Sequence, residues 1–62
     1  MDEMENLQLE VKVAEDLLEE STKRMIASTT SEELGKAHSE IMYFSHDLYA
    51  KKLRYLYYKD EK

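Results

Sequence analysis

The 62-residue chain contains no cysteine, no proline and no tryptophan, and only one glycine, Gly35. Lack of cysteine removes disulfides, thiolate metal sites and cysteine nucleophiles together, and with them the covalent brace on which many mini-proteins rely. Lack of proline and near-lack of glycine leave few places to break a helix and too few turns for a sheet of short strands. Long apolar runs are missing as well: a run such as Ile41 to Phe44 falls far short of the roughly 20 residues that cross a bilayer. The opening Met1-Asp2-Glu3-Met4-Glu5 is acidic where a secretory leader is basic, so a cytoplasmic protein without membrane contact is expected.

What is present is charge and helix-forming side chains. The net charge of −5 argues against non-specific nucleic-acid binding, but the charge is unevenly spread. Residues 1–20 hold eight acids against one base, Lys12, whereas residues 41–62 hold five bases against three acids. A chain this short leaves much of its surface in water, which directs the expectation toward a protein completed by a second copy or another partner.

From Met4 onward, Met4, Leu7, Val11, Ala14, Leu18, Ser21 and Met25 follow one another in steps of three and four. That is a heptad seam, interrupted only by the small polar Ser21, and it predicts a first helix over about 3–27. The cluster Ser28-Thr29-Thr30-Ser31-Glu32-Glu33 is the link. Thr30 with Glu33 three residues on has the form of a capping box, in which the hydroxyl accepts from the N3 amide and the carboxylate reaches back. A second helix over about 31–58 then carries the seam Leu34, Ala37, Ile41, Phe44, Leu48, Lys51, Tyr55 and Tyr58.

A link this short lays two helices of similar length side by side and antiparallel. Folding about residues 29 and 30 opposes Met25 to Leu34, Ser21 to Ala37, Leu18 to Ile41, Ala14 to Phe44 and Val11 to Leu48. It also brings the acidic start of the first helix along Lys51, Lys52 and Arg54. The expected fold is therefore an all-α two-helix antiparallel hairpin forming one domain over 1–62, dimerising to a four-helix bundle.

Each helix has apolar residues to spare. Leu9, Val13 and Leu17 recur beside the first seam, and Met42, Tyr49, Leu53 and Leu56 form a second stripe on the second helix. Single exposed leucines and tyrosines are ordinary, but a hairpin has too little core for its length, and the surplus reads as a binding face. The residues expected to contact a partner are Met42, Tyr49, Leu53, Leu56 and Tyr57, with Lys52 and Arg54 at the rim. The tyrosines Tyr43, Tyr49, Tyr55, Tyr57 and Tyr58 alternate with Lys51, Lys52, Arg54, Lys59 and Lys62. That pattern suits stacked bases or a protein interface, and the acidic total favours protein.

No constellation amounts to catalysis. His38, Met42 and His46 lie on one helical face, but eight residues of helix separate the histidines by about 12 Å, too far for one ion. Ser45, His46 and Asp47 are consecutive and point about 100° apart, so they form no proton relay. Glu10, Glu15, Asp16, Glu19 and Glu20 read as the solvated face of an amphipathic helix. No catalytic residue, cofactor or metal ligand is expected.

Lys23-Arg24-Met25-Ile26 closing one helix and Thr30-Ser31-Glu32-Glu33 opening the next resemble the small aspartyl-phosphate phosphatases that regulate sporulation in bacilli. That family's Ser-Gln-Glu-Leu-Asp signature is most nearly matched by Ser45-His46-Asp47-Leu48-Tyr49, with Tyr49 in place of the closing acid. The alternative alignment, His38-Ser39-Glu40-Ile41-Met42, fits the loop spacing better and also lacks that acid. The resemblance implies a binder of a response regulator with Asp47 or Glu40 beside the phosphoaspartate, either a phosphatase or, with the closing acid replaced, a decoy that binds without turnover.

Overall fold

The computed structural model describes residues 2–61. Two helices, α1 (Glu3–Ala27) and α2 (Ser31–Glu61), pack along one another as an antiparallel hairpin measuring 48 × 17 × 12 Å. The first helix has the expected bounds, while the second continues past Tyr58 to Glu61 with Lys59 in its last turn, where a cation suits the negative helix end.

The ends follow from local chemistry. Asp2, extended at φ −69° and ψ 142°, accepts from the Met4 amide at 3.4 Å, and Glu3 and Glu5 lie in the positive first turn. Ser28 closes α1: its amide donates to the Met25 carbonyl at 3.2 Å and its hydroxyl to the Arg24 carbonyl at 2.8 Å, occupying acceptors that have no helical partner. Thr30 Oγ1 accepts from the Glu33 amide at 3.1 Å, so the hydroxyl half of the capping box is formed.

Leu7, Val11, Ala14, Ser21 and Ala37 are buried, and Met4, Leu18, Met25, Ile41, Phe44, Leu48, Lys51, Tyr55 and Tyr58 are half-buried. The step of three and four thus marks the line of contact on both helices. Leu34 is the exception: expected against Met25, it is left 48 % exposed.

Two interhelical ion pairs fix the register. The Arg24 guanidinium donates from Nε (3.3 Å) and Nη2 (3.1 Å) to Glu40 Oε1, and Arg54 Nη1 donates to Glu10 Oε1 at 3.3 Å. Each residue meets one further along the other helix than a flush fold about residues 29 and 30 implies. Helical side chains lean toward their own N-terminus, so antiparallel neighbours lean past each other. Arg24 Nη2 also donates to the fully buried Ser21 Oγ at 3.0 Å, which explains how a hydroxyl is tolerated in the seam. Of the three bases expected along the acids of α1, Arg54 alone reaches one among the described residues; Lys51 turns to Asp47 on its own helix at 3.0 Å, and Lys52 Nζ stands 5.6 Å from the Tyr55 ring centroid.

The resulting rod is not compact. Its radius of gyration is 14.3 Å, against about 11 Å for a globular chain of this length. Its accessible surface is 4877 Å², against about 4,200 Å² for a compact protein of this mass.

Arg24→Ala removes the clamp on Glu40 and strips a buried hydroxyl of its partner, and should lower unfolding stability by about 1–2 kcal/mol. Arg54→Ala, which breaks an exposed pair only, should lower it by less than about 0.5 kcal/mol. Chemical denaturation at one fixed protein concentration checks both; equal losses would show that Ser21 gains nothing from Arg24. A Cβ on Gly35 meets no atom within 4 Å, so Gly35→Ala should raise stability by about 0.5–1 kcal/mol through lost freedom of the unfolded chain. A lower denaturation midpoint for that variant would contradict this reading of the site.

Candidate interaction surface

On α2 the surface away from α1 is itself patterned. Met42, His46, Tyr49, Leu53 and Leu56 succeed one another in steps of four and three, which is a second heptad seam on a helix whose first seam is already used. The four apolar members are between 39 and 65 % exposed, and Tyr43 and Tyr57 stand beside them, also exposed. His46 completes this seam, four residues after Met42 and three before Tyr49, and belongs to it rather than to a ligand set or a relay.

The direction of this stripe follows from the ion pairs. Glu40, Asp47 and Arg54 are spaced by seven and therefore share one side of α2, the side on which Arg24 and Glu10 of α1 are met. Met42, Tyr49 and Leu56 each lie two residues beyond one of these, a rotation of about 200°. On α1, Leu17 lies seven residues from both Glu10 and Arg24, so it shares the ion-paired flank, with Val13 and Leu9 continuing round to the back. The surplus stripes of the two helices therefore face opposite sides of the hairpin. Of the residues expected at a partner, Met42, Tyr49, Leu53, Leu56 and Tyr57 are exposed on the outward side of α2 and Lys52 borders them, whereas Arg54 is committed to Glu10 on the ion-paired flank.

Charge is partitioned in the same way. Ion pairs within the described residues use Lys12, Lys23, Arg24, Lys51 and Arg54. The lysines outside these pairs are Lys36, Lys52 and Lys59, all on α2; Lys62, part of the expected aromatic and basic pattern, lies outside the described residues. On α1, Glu3, Glu5, Glu15 and Glu20 take no part in those ion pairs. The acidic run of α1 is otherwise a solvated face, with Lys12 to Asp16 at 3.2 Å and Lys23 to Glu19 at 3.6 Å. The hydrogen bond and charge of Asp16, with Glu15 and Glu19 adding to them, hold the Lys12 ammonium above its ordinary value, so it stays charged through the neutral range.

His38 and His46 are exposed, and among the described residues no three His, Cys, Asp or Glu side chains gather as a metal site. Asp47 is bound to Lys51 and Glu40 to Arg24, so both acids that a phosphatase reading would use are held by a cation of this chain. A groove of about 370 Å³ beside the loop is lined by Arg24, Ser28, Glu33, Lys36 and Glu40. Ala27 and Ala37 complete its lining, and Arg24, Glu33, Lys36 and Glu40 stand around them. No helix among the described residues is long and apolar enough to cross a membrane. No protein-family model, curated protein or solved structure matches the chain.

Proposed function

We propose that this hairpin is a small non-enzymatic protein-protein interaction module, a regulator, adaptor or chaperone, whose binding face is the outward stripe of α2. The observation that carries the reading is the second seam: Met42, Tyr49, Leu53 and Leu56 keep a coiled-coil spacing on a face that covers nothing within the chain. Packing against α1 leaves these side chains in contact with water, so only a second surface can cover them. Tyrosine suits such a face because it presents a large area with few rotatable bonds. Self-association through this stripe in the cytoplasm, with the remaining surface of the assembly free for another protein, is the form proposed.

The second reading, a phosphatase or phosphatase-like binder of a response regulator in sporulation control, rests on the resemblance around Asp47 and Glu40. Loss of acyl phosphate from a response regulator on addition of the hairpin is its measurable mark. The engagement of both acids in ion pairs favours the binding module.

Light scattering over a dilution series, with circular dichroism on the same samples, tests the proposal. The wild-type mass should exceed that of one chain and fall on dilution. The double variant Tyr49→Asp/Leu53→Asp should remain at one chain at every concentration while keeping its helical spectrum wherever the monomer is folded. A wild-type mass of one chain throughout, or an unchanged mass in the variant, would remove the stripe from any role in assembly.

A further inference from the structure

His46 is the ionisable side chain within the outward seam of α2, and the inference drawn from it rests on the proposal that the chain self-associates through that seam. It is exposed and stands two residues from both Phe44 and Leu48 of the inner seam, a rotation of about 200°. It therefore points away from α1, and no charged group of α1 among the described residues faces it. Its neighbours one turn away on α2 are Met42, Tyr43, Tyr49 and Ala50, all uncharged. The acids between His38 and Tyr57 are Glu40 and Asp47, and both lie on the ion-paired flank, held by Arg24 and Lys51. Lys52 and Lys59 border the seam, and His38 lies one turn before Met42. An imidazolium at His46 thus has no counter-charge on its own face.

The surface of this chain that fits the seam is the seam itself. Leu9, Val13 and Leu17 advance by four residues each time, so their row turns about 80° round α1, whereas Met42, Tyr49 and Leu56 advance by seven and drift about 20° per heptad. Knobs-into-holes packing needs a row that holds its line, and the α2 seam of a second copy supplies one, in an isologous contact that covers the same patch in both chains. That copy brings no acid to His46. A contact that set its Asp60 or Glu32 there would leave Met42, or Tyr49 and Leu53, without a partner. What it brings is a second His46 and a second Lys52.

We propose that His46 makes this contact a pH-sensitive switch, in which two copies join while the imidazole is neutral and separate when it takes up a proton. Histidine is the side chain that changes charge near neutrality. Covering the seam removes water from the ring, which disfavours its charged form, and the second imidazole and the lysines oppose that charge further. Assembly and proton uptake therefore exclude each other, and the contact is lost as pH falls.

Sedimentation velocity at about pH 8 and about pH 5.5, at one ionic strength and with circular dichroism on the same samples, tests the switch. An imidazole of ordinary affinity is about tenfold more protonated than neutral at the lower pH, and an isologous contact holds two. Wild-type association should therefore weaken by about tenfold to a hundredfold between the two conditions. Net charge alone predicts the opposite, because protonating both histidines takes the chain from −5 to −3 and lessens repulsion between copies. His46→Leu should assemble equally at both pH values, His46→Lys should associate as weakly at the higher pH as wild type does at the lower, and His38→Gln should keep the wild-type response. Wild-type association that is unchanged or tighter at the lower pH would overturn the switch while leaving the binding face in place. So would a wild-type loss retained in His46→Leu, or tight assembly of His46→Lys. A wild-type chain that is monomeric at the higher pH would overturn the switch and the self-association proposed above together.

Discussion

Two helices touch along a single line, and that constraint shapes everything else in this molecule. The line is narrow here: beside Leu7 and Val11, the buried positions are Ala14, Ser21 and Ala37, so much of the shared interior is small side chains. Small residues let helix axes approach, but they remove little apolar area from water. The half-buried Ile41, Phe44, Leu48 and Tyr55 complete the seam from α2 without being enclosed by it. A hairpin of this kind has a well-defined direction and register and little surplus stability, which is why its outward surface bears directly on how it exists in solution.

Polar groups single out one register among those the seam allows. Apolar residues spaced by three and four tolerate sliding by a turn, whereas Arg24 can serve Ser21 and Glu40 together in one alignment only, and Arg54 reaches Glu10 in the same one. The Arg24 cluster sits near the loop, where chain connection already holds the helices close, and the Arg54 pair sits toward the open end. Exposure limits what each pair contributes to stability, but both favour the same alignment over its neighbours.

Much of this was legible in the sequence because helical periodicity and cap chemistry act locally. The bounds of α1, the start of α2 after Thr30 and nearly all of the seam follow from spacing alone. Three features depended on geometry between helices. Leu34 keeps the seam spacing yet lies exposed at the loop end, because the lean of the side chains shifts contacts away from a flush fold. Lys51 and Lys52 have the right sign to meet the acids of α1, but an acid and an aromatic ring one turn or less away on α2 engage them first. The opposition of the two surplus stripes needed the ion-paired flank to be known before either could be given a direction.

The central claim is that the outward face of α2 is covered when the protein is assembled. Amide hydrogen exchange, resolved by residue and measured at dilute and at concentrated protein, tests it most directly. The account predicts that protection over residues 42–57 rises with concentration. Protection over that stretch that is the same at both concentrations, in samples whose mass shows assembly, would place the contact elsewhere and contradict the account.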